Sequence, residues 1–271
     1  VVSLRARSQG AMQLKLALWR PEAFLAHAQR EQWWMALYVG LTLVMGLYNL
    51  LIYISIKDKT YLLYVLCIGT YVLFQMAITG HGFMHLWPEA PRFANLAVPL
   101  MAGLACMCGT AFSMQFLGAR RHLPAPLQWG HWALLAAGGL LAAAAFVLPY
   151  RLTVRAVTVI GLLFPVLALA SGAVAAARGY RPARVFLAAW TVLMLGIIAY
   201  ALMTLGLLPP LFFTVNAQII GGALEVVLLA LALAERIRSL RQEREAASAR
   251  LFDMQRRHAS LLEREVAART Q

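Results

Sequence analysis

Residues Leu211 to Ile237 read LFFTVNAQIIGGALEVVLLALALAERI. From Leu211 to Ala234 this run holds a single charged residue, Glu225. A helix needs about 20 mostly apolar residues to cross the hydrocarbon core of a bilayer. A chain in lipid must also satisfy its own backbone hydrogen bonds, which a helix does. The run therefore predicts a transmembrane helix over about 211–234. Glu225 lies 11 positions before Arg236. At about 1.5 Å per residue that is roughly 16 Å from the edge, close to mid-bilayer.

Six further stretches upstream read the same way. They are Trp33 to Ile56, Tyr61 to about Thr79, Phe93 to Leu117, about Leu127 to Leu148, about Leu152 to Ala177, and about Val185 to Leu205. Their ends carry stop signals: Lys57-Asp58-Lys59, Gly80 and Gly82, Gly118 with Arg120-Arg121, Pro149, Arg178-Gly179, and Gly206 with Pro209-Pro210. The expected fold is an all-α integral membrane protein, a seven-transmembrane helix bundle over 33–235.

Composition agrees. The 271 residues are 62% hydrophobic and 13% charged, with a mean hydropathy of +0.70. Soluble domains run at about 45–50% apolar and about 25% charged. So large an apolar excess excludes an ordinary soluble enzyme, a disordered chain and a disulfide-stapled module. The net charge of +13 follows the positive-inside rule rather than any affinity for nucleic acid. Seven basic residues (Lys57, Lys59, Arg120, Arg121, Arg178, Arg181, Arg184) fall in the first, third and fifth loops, and nine arginines follow the seventh span. The even loops hold Arg92, Arg151 and Arg155. The N-terminus is expected outside and the C-terminus in the cytoplasm, with membrane lipids as immediate partners.

The flanks read differently. Residues 2–7 and 12–19 alternate apolar and polar side chains around Ser8-Gln9-Gly10, a β-hairpin pattern. Residues 1–20 are read as the end of a periplasmic β-domain, and the chain as a piece of a longer protein. Residues 21–32 suit a short interfacial helix opened by Pro21. After Glu235 no Pro or Gly interrupts the chain through Gln271. Ile237, Leu240, Ala247, Leu251, Met254 and Leu261 recur at 3–4 spacing, which predicts a parallel two-stranded coiled coil over 236–271. A shifted phase near His258 fits Leu262 and Val266, and a solvated single helix is the alternative.

Several stretches resemble one family: bacterial seven-transmembrane receptors with diverse intracellular signalling modules. They are Gly46-Leu47-Tyr48-Asn49 through Tyr53 with Lys57-Asp58-Lys59-Thr60-Tyr61, then Gly80-His81-Gly82 and Leu86-Trp87-Pro88. Leu148-Pro149-Tyr150-Arg151, the run Arg178 to Arg184, and Gly221-Gly222 through Ile237 complete the set. The resemblance covers about residues 30–240. It implies a sensor that passes a periplasmic ligand signal through the seventh helix to a cytoplasmic output module. The stretch Leu262 to Thr270 is similar to linkers preceding diguanylate cyclases or histidine kinases, the former more so.

Glu225 is the residue most in need of explanation, since an ionised carboxylate at that depth costs at least a few kcal/mol. Asn49, eight residues before Lys57, lies at a comparable depth. A polar lock of Glu225 with Asn49 and Tyr48 is the expectation, with a neutral structural acid as its rival. Gly221 and Gly222 are read as close-packing positions. His81 and His85 have the i, i+4 spacing of ligand or metal-binding pairs, though loop histidines often have that spacing by chance. Cys67, Cys106 and Cys108 lie within spans and lack zinc spacing.

No Lys lies in any span, which excludes a retinal Schiff base. No catalytic, cofactor or metal motif appears. The competing classes are a small-solute transporter or channel, which would show repeats and a polar midplane path, and an intramembrane enzyme.

Overall fold

The computed structural model describes residues 20–204 and 206–269. The hairpin expected within residues 2–19 lies outside them. Everything described as regular structure is helical. Ten helices follow in order: α1 Pro21–Ile56, α2 Lys59–Ile78, α3 His81–His85, α4 Pro91–Phe116, α5 Ala119–His122, α6 Ala125–Ala144, α7 Tyr150–Ala177, α8 Pro182–Thr204, α9 Phe212–Val215 and α10 Ala217–Arg269.

Six of the described helices are long and apolar enough to cross a membrane: α1, α2, α4, α7, α8 and the Ala217–Ser239 part of α10. The fourth expected span corresponds to α6. It has the length, at 20 residues, but its first two turns carry Gln128, Trp129, Gly130, His131 and Trp132, which lower its hydropathy. His131 is buried there, and its Nδ1 pairs with the Leu127 carbonyl at 2.8 Å. Trp129 and Trp132 are exposed, as suits aromatic side chains near a membrane surface.

The seven long helices neighbour one another in chain order. α1 packs on α2, α2 on α4, α4 on α6, α6 on α7, α7 on α8 and α8 on α10, and α10 returns to α1, with α4 also meeting α7. The closure places α10 between the first and last of its neighbours. The α8–α10 contact is the most extensive. It is made possible by glycine: a Cβ on Gly196 would lie 2.5 Å from the Ala217 carbonyl oxygen and 3.3 Å from Gly221 Cα. Gly103 of α4 stands equally close to α6, where a Cβ would fall 2.6 Å from the Gly138 carbonyl oxygen. Small residues at such crossings let helices approach in lipid, where no hydrophobic force drives them together.

Connections are short and capped. Lys57 closes α1 in the left-handed region (φ 59°), and Asp58 opens α2 by accepting the Thr60 amide at 2.9 Å. A two-residue link thus reverses the chain, with the αL stop and acidic N-cap that such ends favour. The interfacial helix expected over 21–32 is not separate: α1 runs unbroken from Pro21 into the first span. The core is aromatic. Phe116 stacks on Phe186 (centroids 5.3 Å, 16°), and Phe164 meets Trp190 edge-on (4.9 Å, 85°).

Candidate functional site

The polar chemistry of the bundle runs along the facing sides of α2 and α10. On α2, Tyr61, Tyr64, Ile68, Tyr71 and Gln75 recur at 3–4 spacing and share one face. The α2 and α10 backbones do not approach closely, so long side chains reach across. The Tyr64 hydroxyl donates to the Val226 carbonyl at 2.6 Å, and the Tyr61 hydroxyl to the Leu233 carbonyl at 3.1 Å. Toward the other end of the pair, Gln218 Nε2 donates to Gln75 Oε1 at 3.3 Å. Where α10 leaves the bundle, Arg236 pairs with Asp58 at 3.1 Å and also donates to Thr60 Oγ1. Four links at successive heights thus hold α10 to α2.

Glu225 sits between these links and is 4% exposed. It borders a cavity of about 290 Å³ enclosed by α2, α4, α7, α8 and α10. Gln218, Tyr71, Cys67, Phe164 and Trp190 share that wall. The Tyr71 hydroxyl is buried beside Gln218 but makes no hydrogen bond. Gly222, one turn before Glu225, leaves room for two rings: a Cβ there would stand 3.5 Å from both Tyr38 and Tyr71. Gly221 faces the other way, with Gly196 Cα 3.4 Å from where its Cβ would lie. On α7 the wall includes Gly161 and Pro165. Proline has no amide hydrogen, so the carbonyl four residues earlier, that of Gly161, loses its usual donor.

The structure does not pair Asn49 or Tyr48 with Glu225 by a hydrogen bond. Asn49 is buried, and its amide donates to the Met45 carbonyl of its own helix at 2.8 Å. Tyr48 is 56% exposed on the outer face of α1. Tyr64, Tyr71 and Gln75 of α2 and Gln218 of α10 lie along the Glu225 side of the bundle, and Tyr38 of α1 joins them with a buried hydroxyl near Gly222. The signal of the α2 residues in the sequence is their tyrosine repeat, which a search for charged residues passes over.

His81 and His85 lie on α3, with ring centroids 6.4 Å apart. His81 Nδ1 is 3.0 Å from the Thr79 hydroxyl. Partial burial, and next the nearby His85, hold the His81 imidazole below its ordinary range. Among the described residues no three His, Cys, Asp or Glu side chains gather as a metal site would require. Of the seam residues, Ile237 is half-buried and packs on the bundle core, while Met254 is exposed. The side chains of Leu240, Ala247, Leu251 and Leu261 lie outside the description, although their backbone belongs to α10. Arg121, Arg178 and Arg181 line a second cavity, of about 570 Å³, that is bounded on α10 by Arg236, Ser239 and Gln242.

Multiple apolar helices, a buried mid-bundle acid and a long terminal helix define a multi-pass α-helical membrane protein. The family model described as 7TM diverse intracellular signalling matches residues 31–236. The chain therefore belongs to this family and forms its seven-transmembrane region. No curated protein and no solved structure matches it.

Proposed function

We propose that this domain is the transmembrane relay of a bacterial inner-membrane sensor. A periplasmic signal shifts the packing of the bundle, and α10 carries the shift into a cytoplasmic output module. The observation that carries this reading is the continuity of α10. It is one 53-residue helix, Ala217–Arg269, beginning beside the α8 glycine crossing and continuing well past the last apolar turn. The four links to α2 make its position sensitive to the rest of the bundle. Seven spans, with the N-terminus outside and the C-terminus inside, agree with the distribution of basic loops. The 3–4 repeat of the tail supports a parallel homodimeric coiled coil. A diguanylate cyclase is the favoured output, ahead of a histidine kinase.

The test is a fusion of this chain to a diguanylate cyclase reporter, with residues inserted after Ser239. Seven inserted residues preserve the heptad phase and two break it. Output that follows phase supports the relay. Output indifferent to every insertion rejects transmission through a rigid α10.

A further inference from the structure

The cavity beside Glu225 has a chemistry of its own. Its wall is apolar and aromatic, with Phe74, Phe164 and Trp190 among its rings. Its polar groups are few: Trp190 Nε1 is a donor buried without a partner, and the acceptors are the oxygens of Glu225, Tyr71 and Gly161. The Glu225 carboxyl makes no ion pair among the described residues, and no Lys, Arg or His lines the cavity. The Tyr71 hydroxyl is buried without a hydrogen bond. The Gly161 carbonyl, on the same wall, lacks its usual helical donor because of Pro165. The Gln218 amide is already engaged with Gln75, and the Thr158 hydroxyl with the Val154 carbonyl.

An ammonium group offers three donors and a positive charge. It matches a carboxylate with nearby oxygen acceptors, and its neighbours include aromatic faces that attract cations. An ionised acid at mid-bilayer is costly unless paired, and a bound cation would pair it. The volume limits the partner. At about 30 Å³ per water, 290 Å³ corresponds to on the order of ten non-hydrogen atoms. Access is lateral: Ile78 and Leu162 line the cavity and are themselves exposed on the bundle surface that faces lipid.

The geometry points to a ligand site inside the bundle for a small hydrophobic primary amine, its ammonium on Glu225 and its apolar body among Phe164, Trp190 and Phe74. Such a molecule partitions into the bilayer as the free base and takes up its proton at the carboxyl group. This site stands apart from the relay, because binding is read in the bundle without any output.

The test uses the full chain in lipid nanodiscs, with 2-phenylethylamine as probe and 2-phenylethanol as its neutral counterpart. Thermal unfolding and tryptophan fluorescence report binding. The amine is expected to bind about ten-fold more tightly than the alcohol, because its hydrogen bond is charge-assisted. Glu225→Gln is expected to remove that preference. Gly161→Leu adds a bulky side chain at a lining position where a Cβ meets nothing within 4 Å, and it is expected to abolish binding of both probes. Equal binding of amine and alcohol, binding of neither, or a preference that survives Glu225→Gln overturns the proposal. If Glu225→Gln fails to fold, amine binding that persists in Gly161→Leu overturns it by itself.

Discussion

The Tyr64 hydroxyl donates to the Val226 carbonyl at 2.6 Å, joining α2 to α10 one residue past Glu225. The ring itself is fully buried and lies against Phe112, with centroids 5.7 Å apart. A phenol that reaches a helix carbonyl holds two helices at a fixed height and rotation. Tyr61 repeats the arrangement on Leu233, about two turns further along α10. These two bonds give the bundle a defined grip on the helix that leaves it.

Tyr64→Phe deletes the hydroxyl and keeps the ring packing. It is expected to lower bundle stability by about 0.5–1.5 kcal/mol, the usual net value of a hydrogen bond. Unfolding of the purified chain in mixed micelles measures it. No loss would show that the bond to Val226 adds nothing to the stability of the bundle.

The α8–α10 crossing depends on the absence of side chains. Gly196→Val would drive a Cβ into the Ala217 carbonyl, and overpacking of this kind costs about 1–3 kcal/mol. Gly40→Val is the matched control, since a Cβ there meets nothing within 4 Å. The first variant should lose stability and the second should stay close to the parent. Equal behaviour would contradict the close approach.

These features differ in how far the sequence announces them. The helix ends are written in short-range chemistry: Lys57 and Asp58 stop and restart the chain, and Gly118 and Gly179 take positive φ at turns. Four of the seven expected spans coincide closely with helices that qualify by length and hydropathy, and the seventh starts at Ala217 rather than Leu211 because the short helix α9, Phe212–Val215, precedes it. α6 falls short because Gln128 and His131 sit inside it, and α1 extends back to Pro21 because nothing in residues 21–32 interrupts a helix. Depth is also legible, as rise per residue sets it, and it places Asn49 and Glu225 at comparable levels. Rotation about the helix axis is not fixed by depth. It turns the Asn49 amide to Met45 and gives the Glu225 side of the bundle to Tyr38 of α1 and the tyrosines of α2. The cavity is less legible still, since five helices that are distant in sequence build it.

Arg236 is expected to hold the base of the tail. Arg236→Ala removes the pair with Asp58 while leaving Asp58 free to cap α2 through Thr60. A spin label at Ser239 should become more mobile in that variant. Unchanged mobility would show that the pair does not restrain α10.

His81 should titrate below the ordinary histidine value of about 6.5, because burial and His85 disfavour its charged form. The folded state then binds its proton more weakly than the unfolded chain. Its contribution to stability is present above about pH 6.5 and is lost as pH falls through the window down to the folded value. Histidine-selective NMR titration reads the midpoint directly. A midpoint at or above 6.5 would contradict the partial burial.

The α2–α10 bonds are expected to set the position of the emerging helix. Spin labels at Arg121 and Gln242, which both line the cavity of about 570 Å³, allow a dipolar distance measurement across it. The Tyr61→Phe, Tyr64→Phe double variant is expected to shift or broaden that distance distribution while the bundle stays folded. An unchanged distribution in the folded double variant would contradict it.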